Sequence, residues 1–208
     1  MIDKKYIVEF IGTFFLVLTI ALTGNPIAIG AILVAMVYFG GYISGAHYNP
    51  AVSTTLFLQK KLNFQTYIKY VVTQFIAAML AAFVFLIIKG NYFLVVPGLG
   101  VNFWTAVLCE MIFTFALCTV VLNTAVSEKT KGNNYYGIAI GLTVAAGAFA
   151  VGAISGGAFN PAVGIGPYLL NIQNIGSNLN FISLYILGPI SGALLASLVY
   201  SQTSSKNN

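Results

Sequence analysis

Arginine is absent from this 208-residue chain, and charge of either sign is scarce: nine lysines and four acids leave only 6% charged residues. A soluble domain carries about 25% charged residues, so this composition excludes an ordinary water-exposed surface and points to a polytopic membrane protein. The lysines stand singly or in pairs between apolar stretches. Nucleic acid as a partner needs cations gathered on a solvated face, so it is excluded as well. One histidine and two cysteines supply no metal-ligand cluster and no nucleophile–base pair, and no nucleotide-binding loop is present. An enzyme is not expected, nor is a cofactor. Cys109 and Cys118 share one apolar span, and at about 100° per residue they fall on opposite helix faces. They are expected to remain unpaired, as small buried apolar residues.

What the chain has is hydrophobic length. It is 59% hydrophobic, with a mean hydropathy of +0.91. About 20 apolar residues cross the hydrocarbon core, and six stretches qualify, near 6–23, 27–44, 66–88, 101–123, 136–154 and 181–201. The first follows Met1-Ile2-Asp3-Lys4-Lys5 directly, has too long an apolar run for a signal-peptide core, and is read as a retained span. With the N-terminus inside, Lys4, Lys5, Lys60, Lys61, Lys69, Lys129, Lys131 and Lys206 lie on the inside or its edge, and Lys89 alone lies outside. That is the asymmetry of the positive-inside rule, which puts both termini in the cytoplasm. Which membrane is crossed stays open.

The linker from Lys89 to Gly100 divides this single transmembrane domain, residues 1–208, into repeats of about 1–92 and 100–208. Each half has three spans. Each first span carries Glu-x-x-x-Thr, as Glu9…Thr13 and Glu110…Thr114, and each third span has a matching start at Tyr70 and Tyr185. Three is odd, so the second half enters the membrane inverted. Between the second and third spans of each half stands the same tripeptide, Asn49-Pro50-Ala51 and Asn160-Pro161-Ala162. Asn is a favoured helix N-cap and Pro a favoured first helical residue, so both copies read as starts of half-helices too short to cross. The expected fold is therefore all-α: six transmembrane helices plus two re-entrant half-helices in an inverted 3+3 repeat. Such repeats place their functional site near the midplane, where discontinuous helices converge.

Non-helical backbone at that depth survives where it lines a wet cavity or is buried in protein. The carbonyls of Ser44 to Tyr48 and of Ser155 to Phe159 are expected to form a ladder of acceptors along one wall, through Gly45, Ala46, Gly156 and Ala158 among others, facing an apolar wall. Each capping Asn spends its side-chain oxygen on a backbone N–H, leaving its NH₂ to donate into the lumen. With two half-helix dipoles behind them, the amides set a barrier to cations and to a continuous proton wire. Tyr48 and Phe159, directly before the two asparagines, read as wedges against neighbouring spans. The small residues Gly137, Gly141, Ala145 and Gly188, Gly192, Ala196 read as close-packing stripes.

These motifs, together with Gln74, His47 and Gly188-Pro189, resemble the aquaporin or major intrinsic protein family over nearly the whole chain. The resemblance implies that Glu9 and Glu110 hold re-entrant backbone in place, a structural role with Thr13 and Thr114 one turn further along the same faces. It puts His47 on the inner pore wall. It also implies a homotetramer with one pore per subunit. One position departs from the family: an Arg usually follows the second Asn-Pro-Ala, and here Val163 stands there. The family pattern puts the other constriction positions at Ile29, Ala148 and Gly157, so all four are aliphatic or lack a side chain. Gly164 stands where the glycerol-facilitating branch usually has Asp. The expectation is a passive channel for water and small neutral solutes such as glycerol or urea, through a wide apolar constriction. Two alternatives stay open: permeation that leaks ions or couples to protons, and a weakly conducting structural or junctional membrane protein.

Overall fold

The structure is a computed structural model that describes residues 3–171 and 179–204; Lys206 lies outside the described residues. Among them are eight α-helices: α1 (Lys4–Thr23), α2 (Pro26–Ser44), α3 (Pro50–Leu58), α4 (Phe64–Lys89), α5 (Phe103–Val121), α6 (Tyr136–Ser155), α7 (Pro161–Leu170) and α8 (Leu179–Thr203). Six are long and apolar enough to cross a membrane: α1, α2, α4, α5 (with the turn that extends it to Val126), α6 and α8. They coincide with the six stretches read from the sequence, to within a few residues at each end. Their outer faces stay apolar and exposed, as at Ile27, Ile87, Trp104, Leu142 and Phe149. Only a hydrocarbon environment tolerates so continuous a surface, and the chain is an integral, multi-pass membrane protein.

Helix ends follow the local chemistry. Asn25, Asn49, Asn63, Asn102 and Asn160 each cap a helix by accepting a backbone N–H with the side chain, and Pro occupies the first turn of α2, α3 and α7. Gly24, Gly45, Gly90 and Gly156 end helices in the left-handed conformation that glycine adopts without a Cβ penalty. Tyr135 has no capping side chain, so Asn133 reaches forward instead and accepts from Tyr135 N at 3.1 Å and Tyr136 N at 3.0 Å. Helix α5 loosens into a π-turn at Leu122–Val126. Two carbonyls of that turn are taken by the following loop, Asn123 by Thr130 Oγ1 and Thr124 by Asn133 Nδ2.

The halves interlock. In each, the first span packs on the third, α1 on α4 and α5 on α8. The half-helices cross over: α3 packs on α8 and α7 on α4. The two middle spans, α2 and α6, close the bundle against one another. The small-residue stripes serve these internal contacts. A Cβ on Gly30 would stand 2.8 Å from the Gly141 carbonyl and 2.8 Å from Ala145 Cβ, and one on Gly192 would stand 2.5 Å from the Met111 carbonyl. Cys109 and Cys118 are free, as expected, but only Cys118 is fully buried; Cys109 is partly buried.

Candidate functional site

The two half-helices meet at their N-termini. Asn49 Oδ1 caps α3 by accepting from Ala51 N at 2.8 Å, and Asn160 Oδ1 caps α7 by accepting from Ala162 N at 2.9 Å. Each amide then reaches across the junction. Asn49 Nδ2 donates to the Phe159 carbonyl and Asn160 Nδ2 to the Tyr48 carbonyl, both at 2.9 Å. The expectation of an NH₂ left wholly for the lumen is thus corrected: one hydrogen of each amide locks the opposite loop, and one remains.

The acceptor ladder is corrected in the same way. Tyr70 Oη donates to the Ser44 carbonyl and Tyr185 Oη to the Ser155 carbonyl, each at 2.7 Å. With the Tyr48 and Phe159 carbonyls taken by the asparagines, the free rungs shorten to residues 45–47 and 156–158. The two tyrosines are site residues that sequence reasoning left without a role. Their signal was present in the repeat, because they occupy matched positions at the start of the two third spans.

Both loops hold left-handed backbone at corresponding positions: φ is 87° at Gly45 and 92° at Gly156, 51° at Ala46 and 63° at Gly157, 51° at Tyr48 and 48° at Phe159. Left-handed backbone costs a non-glycine residue about 1–2 kcal/mol, so Ala46, Tyr48 and Phe159 need compensation. The buried carboxylates supply it. Glu9 accepts from Ser44 Oγ (2.7 Å), His47 N (2.9 Å), Tyr48 N (2.8 Å) and Gln74 Nε2 (2.8 Å). Glu110 accepts from Ser155 Oγ (2.7 Å), Ala158 N (3.0 Å) and Phe159 N (2.6 Å). Backbone amides that helix geometry cannot satisfy thus find fixed acceptors, which is what a loop at membrane depth requires. Thr13 and Thr114 are buried one turn along, and their hydroxyls find no hydrogen-bond partner among the described residues.

The aromatic residues at the junction are wedges. Tyr48 is fully buried, fills the space left by Gly12 and Gly40, and donates its hydroxyl to the Met36 carbonyl at 2.8 Å. Phe159 packs on Phe113, with ring centroids 5.6 Å apart, and against Gly147.

A cavity of about 530 Å³ runs from the junction to the loop at 124–133. Its lining includes the aliphatic side chains of Leu16, Ile20, Leu33, Val37, Ile140 and Val144, together with Gly45, Ala46, His47, Ala158 and both asparagines. Ile29, Gly157 and Val163 also line it, so three of the four constriction candidates come together. Ala148 does not line it but stands beside Gly157, where an added Cβ would lie 3.6 Å from Ala148 Cα. Gly156 is likewise outside the cavity wall: a Cβ there would meet Tyr185 Oη at 2.5 Å and Val95 Cγ1 at 2.7 Å. Lys61, Lys131 and Glu128 edge the far mouth. The Lys131–Glu128 pair, 3.5 Å apart and about three-quarters exposed, adds little. Among the described residues, no lysine lines the cavity between that mouth and Val163. The arrangement suits passage of a neutral molecule with hydrogen-bonding groups on one side, past a positive end-on pair of helix dipoles.

Similarity to known proteins agrees with this geometry. The model of the major intrinsic protein family matches residues 2–200. Aquaporin AqpM of Methanothermobacter thermautotrophicus is 35% identical over 244 aligned residues, covering 99% of both chains. Glycerol uptake facilitator protein-like 6 of Lactiplantibacillus plantarum is 34% identical, covering 93% of this chain and 94% of that one. Among solved structures, the aquaglyceroporin from Plasmodium falciparum superposes with a TM-score of 0.82 at 20% identity, covering 97% of this chain and 96% of that one, a likeness of fold.

Proposed function

The chain belongs to the major intrinsic protein family, whose members are channels and not enzymes, and from that premise we propose that it conducts water and small neutral solutes such as glycerol or urea passively through the cavity between its two repeats. The observation that carries this reading is Val163, an aliphatic residue at the cavity wall directly after Asn160-Pro161-Ala162. Ile29 and Gly157 line the same cavity, so the three filter candidates found there offer no charged side chain. Exclusion of cations then rests on the paired half-helix N-termini and their amides. The relatives named as an aquaporin and as a glycerol uptake facilitator bracket the same range of solutes.

The filter in this reading comprises Ile29, Ala148, Gly157 and Val163, with His47, Gly45, Ala46 and Ala158 contributing polar groups. The lysine asymmetry supports cytoplasmic termini, and Lys61 and Lys131 share the mouth that would then face the cytoplasm. A homotetramer with one pore per subunit follows the habit of the family. The test is purified protein in lipid vesicles challenged with water, glycerol, urea and ammonia, with ion conductance recorded alongside. Water and glycerol fluxes above those of empty vesicles, without conductance, are expected. Permeability equal to empty vesicles would refute the channel reading and favour a structural protein. Conductance or proton dependence would refute the charge barrier.

A further inference from the structure

The inner loop contains a side-chain relay that the outer loop lacks. Gln74 Nε2 donates one hydrogen to Glu9 Oε2 at 2.8 Å and the other to Ser53 Oγ at 3.1 Å. Ser53 Oγ stands 3.0 Å from His47 Nδ1. The orientation of the Gln74 amide follows from Glu9, whose oxygens already accept three other donors and so read as a carboxylate that draws an N–H, not a carbonyl. Ser53 therefore receives a hydrogen from Gln74, and its own hydroxyl proton has His47 Nδ1 as its acceptor. A ring nitrogen that accepts carries no hydrogen, which leaves the hydrogen of the neutral imidazole on Nε2.

The ring is held against rotation by Tyr70, which packs edge-on with centroids 5.0 Å apart. Its Nε2 edge lies toward Gly45, where a Cβ would stand 3.2 Å from Nε2, so glycine keeps that edge open. Both Gly45 and His47 line the cavity. We propose that Gln74 and Ser53 are positioning residues that hold His47 as the Nε2–H tautomer, so that the inner half of the pore presents a fixed hydrogen-bond donor beside the carbonyls of residues 45–47. The direction of the donor rests on reading the cavity as the pore; the tautomer does not. A permeating molecule meets this donor with a lone pair, as water, glycerol, urea and ammonia all can. The ring cannot hand a proton onward, because its other nitrogen is engaged by a hydroxyl that ends on buried Gln74.

His47 is the only histidine in the chain, so nitrogen NMR of the full chain labelled with ¹⁵N-histidine in lipid vesicles reports one ring. The expected wild-type spectrum is a single tautomer with Nε2 protonated and Nδ1 bare. S53A should lower the ratio of that tautomer to the other by about tenfold, the scale of one buried hydrogen bond, and S53T should restore it. A wild-type Nδ1–H tautomer, as expected if an uncharged Glu9 donated to a turned Gln74 amide, overturns the proposal, as does a ratio unchanged in S53A. The wild-type spectrum decides the tautomer even if S53A fails to fold. Water flux from the same vesicles separates the two readings: the Nε2–H tautomer with flux no higher than empty vesicles supports the hold on the ring and overturns the pore.

Discussion

The two re-entrant loops have one backbone and two chemistries. Their φ values match position by position, both are braced by a buried glutamate, and both have a tyrosine hydroxyl on the first serine carbonyl. Both half-helices even begin with the same four residues, Asn49 to Val52 and Asn160 to Val163. The side chains around them diverge. His47, Ser53 and Gln74 of the first half stand against Ala158, Gly164 and Pro189 of the second half. Glu9 accordingly accepts a fourth hydrogen bond from the Gln74 amide, where the matching position beside Glu110 is Pro189. The shared parts are those that make strained backbone affordable in a membrane. What differs is free to shape the cavity: His47, Ser53 and Gln74 give the first half a cluster of polar side chains that the matching positions of the second half lack.

The largest expected effect comes from removing the braces. Glu9→Ala leaves four donors without an acceptor and Glu110→Ala three, at about 1–3 kcal/mol for each buried group left unpaired. Both variants are expected to lose most of the folded protein in detergent, with Glu9→Ala the worse. A Glu110→Ala variant that unfolded first would show that the fourth donor stabilises nothing. Next come the asparagines. Asn49→Ala and Asn160→Ala each remove a cap worth about 1–2 kcal/mol, and also release the opposite loop's carbonyl. Because each amide serves the other's loop, the double variant should depart from additivity by about 0.5–3 kcal/mol in a double-mutant cycle. Strict additivity would mean the junction is not a coupled unit.

Val163→Arg tests the proposed aliphatic constriction. Glycerol flux in vesicles should fall by about tenfold, a barrier rise of about 1.4 kcal/mol, with water flux falling less. Equal losses for both solutes would move the constriction elsewhere. Smaller again are Tyr70→Phe and Tyr185→Phe, each removing one hydrogen bond for about 1 kcal/mol in thermal unfolding, and alike if the halves are equivalent there. Lys131→Ala, at the exposed mouth, should change stability by no more than about 0.5 kcal/mol.

Much of this was legible in one dimension. Hydrophobic length and the scarcity of charge identify the spans, because a bilayer admits little else. Two Asn-Pro-Ala copies at matched places in an odd-span repeat require opposed half-helices. The glutamates were marked by their cost at depth. The tyrosines were visible only as repeat partners, since nothing local says where a hydroxyl points. Gly156 reads as a lumen residue by its place in the loop, yet its missing side chain makes room for Tyr185 and Val95. Ser53 and Gln74 lie in different helices, and no spacing rule connects them to His47.

By itself the sequence determined the class of molecule, its inverted halves, their capped half-helices and the aliphatic residue after the second Asn-Pro-Ala. These follow from composition, periodicity and local capping, which act over a few residues. Tertiary structure alone decided which loop carbonyls remain unspent and which donors are used. The Asn49 amide ends on Phe159 and the Asn160 amide on Tyr48, because hydrogen bonds form between whatever groups folding brings within about 3 Å. The same meeting of distant segments brought Val163, Ile29 and Gly157 to the lining of one cavity.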